Sequence, residues 1–121
     1  MANTFKTVTF AAEPASAGPP YVMYTVGGST TTVVLGLVLA NIHTTSVTTE
    51  VELVSTTSNR GGNNNVANGT SFLIKDVTIP SGSSLEVLSG SKVILETGDK
   101  IQIDCSVADK LSGTLSIMEI T

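Results

Sequence analysis

The sequence predicts an all-β protein: an antiparallel β-sandwich of about eight or nine short strands with jelly-roll or Ig-like connections. Three observations predict it. Apolar residues recur at every second position in most segments, and no window holds a helical stripe. Turn-forming residues interrupt these segments about every ten positions, as in sandwiches. The length, 121 residues, suits one domain and buries roughly two thirds of the extended-chain surface without a staple.

Taken in order, Thr4 to Phe10 alternates, with Lys6, Val8 and Phe10 on one side and Phe5, Thr7 and Thr9 on the other. Ala11 to Pro20 is an Ala- and Pro-rich linker. Pro19-Pro20 fixes φ and withholds two donors, so the segment is expected to be extended and unpaired. Residues 1–20 are therefore read as an N-terminal strand or arm plus linker, and residues 21–121 as the sandwich domain. The arm can donate a strand to a neighbour's sheet edge or serve as the first strand of its own sandwich.

Tyr21 to Val26 is a short strand stopped by Gly27-Gly28. Thr32 to Ala40 is apolar on both faces, with Val33, Leu35, Leu37 and Leu39 on one and Val34, Val38 and Ala40 on the other. Such a strand is central in a sheet or covered by a partner. After the turn Asn41 to Thr45, Ser46 to Ser55 puts Val47, Val51 and Leu53 inward and Thr48, Glu50 and Glu52 outward. Residues 56 to 70 form the longest loop, with Gly61-Gly62-Asn63-Asn64-Asn65 near its middle and Arg60 as its strong charge. Ser71 to Ile79 is a strand ended by Pro80-Ser81-Gly82-Ser83. Leu85 to Leu88 and Lys92 to Leu95 read as two short strands around Ser89-Gly90. Lys100 to Val107 aligns Ile101, Ile103, Cys105 and Val107 on one face, and Ser112 to Ile120 closes the chain.

Composition excludes several functions. Charged residues are 13% of the chain and the net charge is −4, so no basic stripe can track a nucleic acid. Val33 to Ile42 is about half the length needed to span a bilayer, and no basic region precedes an apolar run at the N-terminus. A chain made in the cytoplasm, without a membrane partner, is expected. The low charge lets many copies pack closely without strong repulsion.

No residues assemble into a recognisable catalytic, cofactor or metal site. His43, the single histidine, cannot form a multi-His metal site and reads as an exposed turn residue. Glu50 and Glu52 lie roughly 7 Å apart on one strand face, a spacing open to glycosidase chemistry. The simpler interpretation is an outward face kept soluble by charge, since sugar sites favour aromatic platforms and the chain has no Trp. Asp99, Asp104 and Asp109 recur every five positions, which wraps no calcium ion; Asp99 is expected to form a turn. Cys105, the single cysteine, rules out an intrachain disulfide and is expected as a buried small hydrophobe. Asn68-Gly69-Thr70 matches a glycosylation acceptor.

Several stretches resemble one family. Tyr24-Thr25-Val26-Gly27-Gly28-Ser29-Thr30-Thr31-Thr32-Val33-Val34-Leu35-Gly36-Leu37 is similar to the opening hairpin of small virion structural proteins of tailed phages, especially those infecting cyanobacteria. Ile79 to Val87, Val93 to Ile101 and Gly113 to Ile120 resemble them too. The likeness runs from about Tyr21 to the C-terminus and consists of strand-and-turn patterns, with Gly27 where such proteins carry Pro. It implies a non-enzymatic virion component: a capsid cement or decoration protein bound to the major capsid protein or other virion proteins, or a neck, tail or baseplate part. It brings no catalytic residues. A homo-oligomer, with a trimer favoured, is expected from the doubly apolar strand. A carbohydrate-binding module, using Tyr21 or Tyr24, is the alternative from another class.

Overall fold

The computed structural model describes residues 2–55 and 69–121. Among the described residues there is no helix, and eight strands follow one another: β1 (Asn3–Glu13), β2 (Tyr21–Thr25), β3 (Thr31–Asn41), β4 (Val47–Ser55), β5 (Gly69–Ile79), β6 (Ser84–Leu95), β7 (Lys100–Cys105) and β8 (Leu111–Ile120). They form two four-stranded antiparallel sheets, ordered β1-β8-β3-β6 and β2-β7-β4-β5. β1 pairs with β8, β2 with β7, β3 with β6 and β4 with β5. This is one long antiparallel ribbon with β4 and β5 at its tip. Rolling it so that β3 also meets β8, and β4 meets β7, makes the sandwich. That nested order is a jelly roll of two four-stranded sheets; an Ig-like constant domain divides its strands four and three.

The core is the space between the sheets. Leu37, Leu39, Leu115 and Ile117 line it from one side and Val51, Ile101 and Ile103 from the other, all fully buried. Cys105 joins them as a free thiol at 3% exposure, in the register the alternation predicts. β4 also follows its alternation: Val47 and Val51 are buried while Thr48, Glu50 and Glu52 are half-buried on the other face.

β3 departs from its predicted phase. Its buried residues are Thr32 and Val34, then Leu37, Leu39 and Asn41. Pairing to both β8 and β6 shifts between Val34 and Gly36. The extra residue, Leu35, is a bulge that resets the alternation. Val33 and Leu35 therefore do not share a face with Leu37 and Leu39. Val33 and Val38 lie on the outer face, and β3 is central, flanked by β8 and β6.

β1 is a strand of the sandwich itself. β1 runs three residues past Phe10, through an irregularity between Phe10 and Glu13, and pairs along its length with β8. Phe10 is buried and its ring meets that of Tyr21 edge-on, centroids 5.3 Å apart. Opposite Phe10 stands Gly113, where a Cβ would overlap the Phe10 ring. The glycine thus makes room for an aromatic group joining the edge strands of the two sheets. The expected extended linker is instead a bent connection over residues 14–20, anchored where Asp109 N–H donates to Pro14 C=O at 2.9 Å. It bends because the chain must cross from one sheet to the other, about 10 Å away, and reverse. The two short strands expected around Ser89-Gly90 are one strand, β6, because β3 pairs with both halves.

Asn41 explains the tight β3–β4 turn. Buried at 3% exposure, it donates to the Thr45 and Ile79 carbonyls and accepts from His43 N–H. One amide thus satisfies three backbone groups that would otherwise lie unpaired.

Candidate functional site

The outer face of the β1-β8-β3-β6 sheet carries an apolar row. Phe5 stands opposite Met118, Met118 opposite Val33, and Val33 opposite Ile94. All four lie one position out of phase with the buried residues of their strands, so they share the outer surface. The row crosses the whole sheet, about 14 Å. Its two ends protrude most: Phe5 is 71% and Ile94 57% exposed. Val38, on the same face, is 36% exposed. No Asp, Glu, Lys or Arg occupies an outward position of β1, β8 or β3.

The outer face of the β2-β7-β4-β5 sheet has the opposite character. Glu50 stands directly opposite Asp104, and Glu52 opposite Gln102. Lys75 Nζ bridges to Glu50 at 3.1 Å and lies 4.6 Å from the centre of the Phe72 ring. The Glu50 hydrogen bond and neighbouring Asp76 raise the Lys75 pKa. Gln102 Nε2 donates to Glu52 at 3.2 Å. Each glutamate thus has its own neutralising or hydrogen-bonding neighbour on an open face. A shallow depression of about 240 Å³ lies beside them, lined by Gly18, Thr48, Glu50, Asp76, Asp104 and Ser106 among others. Among the described residues, no group of three His, Cys, Asp or Glu could hold a metal ion.

The remaining candidates are dispersed. His43 lies half-buried in the β3–β4 turn, where its carbonyl accepts from Ser81 Oγ. Asp99 sits in the β6–β7 turn and is buried; its carboxylate accepts from Glu96 N–H at 3.0 Å. Asp104 accepts from Cys105 N–H, and Asp109 occupies a turn with φ of 57°. Arg60, the Gly/Asn-rich run and Asn68 of the acceptor triplet lie outside the described residues. No described helix is long and apolar enough to cross a membrane.

The alternation contained no sign of one polar cluster at the edge of the core. Tyr24 Oη donates to Glu119 Oε2 at 2.6 Å and meets Thr32 Oγ1 at 2.8 Å. Since its single O–H donates to the carboxylate, Tyr24 Oη accepts a hydrogen bond from Thr32 Oγ1. Lys6 Nζ holds the other carboxylate oxygen at 2.6 Å. The Lys6 contact, followed by the Tyr24 hydrogen bond, lowers the Glu119 pKa from its ordinary 4.5. Burial, then the Glu119 hydrogen bond, pushes Tyr24 up to about 12.

These shifts set a pH window. Glu119, depressed in the folded state, contributes stability that is present above pH 4.5 and lost as pH falls through its folded value. Tyr24, raised from 10 to about 12, contributes stability below pH 10 that is lost as pH rises through that interval. Melting temperature is therefore expected to fall below pH 4.5 and above pH 10. Glu119→Gln should cost roughly 1–2 kcal/mol at neutral pH and flatten the acid limb. An unchanged acid limb would show that Glu119 is not the group responsible.

No protein-family model matches the sequence, and no curated protein matches it. Among solved structures, a chain from work described as "Bacillus endospore appendages form a novel family of disulfide-linked pili" is similar, at 15% identity and a TM-score of 0.49, over 99% of this chain and 87% of that one. At that identity and score the likeness bears on neither function nor partners.

Proposed function

We propose that the chain is a non-enzymatic structural protein of a phage particle, a cement or decoration protein that stabilises the head shell through contacts with the major capsid protein or other virion proteins. The observation that carries this is the exposed row Phe5–Met118–Val33–Ile94. A contiguous apolar surface on a small sandwich marks a face that another protein chain covers, a virion protein or a second copy, as in a subunit that assembles. The low charge of the chain, 13% of residues, and the virion-like strand-and-turn stretches from Tyr21 onward support it. A neck, tail or baseplate position uses the same chemistry at lower copy number.

Two contacts weigh against the carbohydrate-binding alternative built on Tyr21 or Tyr24. Tyr21 is half-buried against Phe10, and the Tyr24 hydroxyl is engaged by Glu119 and Thr32. Quantitative mass spectrometry of purified particles tests the proposal. Copy number comparable to that of the shell subunits is expected. A few copies per particle would move the chain to the neck or tail, and absence from particles would end the structural proposal.

A further inference from the structure

We infer that the apolar outer face of the β1-β8-β3-β6 sheet is where two copies of this chain pack against each other, sheet on sheet, as an isologous pair. This rests on the reading of the chain as a structural subunit and names the partner of that face.

Three properties point to a second copy. The first is area. Four strands about 4.8 Å apart and about ten residues long present roughly 650 Å² in projection. The accessible area of a pleated surface is larger, which brings it near the roughly 800 Å² that each partner contributes to a standard stable interface. One sheet face is therefore close to the size that a stable contact needs.

The second is charge. The protein carries a net charge of −4, so two copies repel unless they meet through a neutral surface. The outward positions of β1, β8 and β3 are uncharged, and this face carries the charge of Glu86 at its β6 edge, opposite Val38. The opposite face presents Glu50, Glu52, Asp76 and Asp104 against Lys75 and Lys100. Two like copies lose least by meeting through the first face and turning the second to solvent.

The third is shape. The row runs straight across the sheet in register, so a two-fold axis lying between the sheets sets one row along the other. Sheets packed this way lie about 10 Å apart with side chains interdigitated. Phe5 and Ile94, the protruding ends of each row, then meet the ends of the other row. An isologous contact closes at two copies, not at the three favoured by the sequence.

Sedimentation velocity of the purified chain at micromolar concentration tests this. A dimer is expected, and the double variant Phe5→Lys/Ile94→Lys should sediment as a monomer. Both side chains are more than half exposed, so the variant should keep its melting temperature apart from the loss attributable to dissociation. Phe72→Lys, on the other sheet and 46% exposed, should remain a dimer. A monomeric or trimeric wild type would overturn the inference, as would a double variant that stays dimeric. The structural reading fails separately: a dimer absent from purified particles ends that reading alone, and a monomer found in particles at high copy number ends the pairing alone.

Discussion

A chain beginning at Tyr21 is expected to lose cooperative folding. The deletion removes all of β1, which pairs with β8 from Asn3↔Ile120 to Glu13↔Leu111. It takes Phe10 out of the core and leaves β8 as a bare edge. Leu115 and Ile117, fully buried in the intact protein, would open to water along that edge. Truncating a buried Phe alone costs about 3–5 kcal/mol, and domains of this size are stable by only about 5–15 kcal/mol. The lost ladder and the opened core should consume most of what remains. Circular dichroism melting and calorimetry check this: a broad or absent transition is expected. A melting temperature within a few degrees of the intact chain would instead make residues 1–20 a dispensable arm.

The second large effect is a contrast between two neighbouring leucines. Leu37→Ala should destabilise by about 2–5 kcal/mol, the range for a core leucine whose cavity cannot collapse. Leu35→Ala should cost about 1 kcal/mol or less, because Leu35 is the bulged residue and sits only partly buried. Plain alternation puts both on one face and predicts equal losses. Denaturant titration of the two variants decides between them, and equal midpoints would remove the bulge from β3. The contrast also bears on the apolar row, since the same shift places Val33 on the outer surface beside Met118.

Much of the architecture was legible in the chain. Alternation located the strands, and turn residues bounded β2, β4, β7 and β8 to within two residues. Where it failed, the cause was a neighbour. Ser89-Gly90 looked like a break, yet β3 pairs on both sides of it and keeps β6 one strand. Pro19-Pro20 signalled an extended linker, yet crossing between the sheets bends the connection. Of the candidate site, the outward placement of Glu50 and Glu52 was readable from β4. The partners that neutralise or hydrogen-bond them were not, because Lys75 and Gln102 come from the adjacent strands β5 and β7.

By itself the sequence determined the class of fold, the inward faces of β4 and β7, the burial of Cys105 and the apolar character of both faces of β3. These follow from local periodicity, since a residue's side of its own strand is set by its parity. Only the tertiary structure decided the jelly-roll order, the place of β1 beside β8, the phase of β3 beyond Leu35 and the joining of Tyr24 to Glu119, 95 residues away. The reason is physical. Parity tells a residue which way to point, whereas pairing partners and bulges depend on which strand lies alongside, and that is chosen by the packing of the whole sandwich.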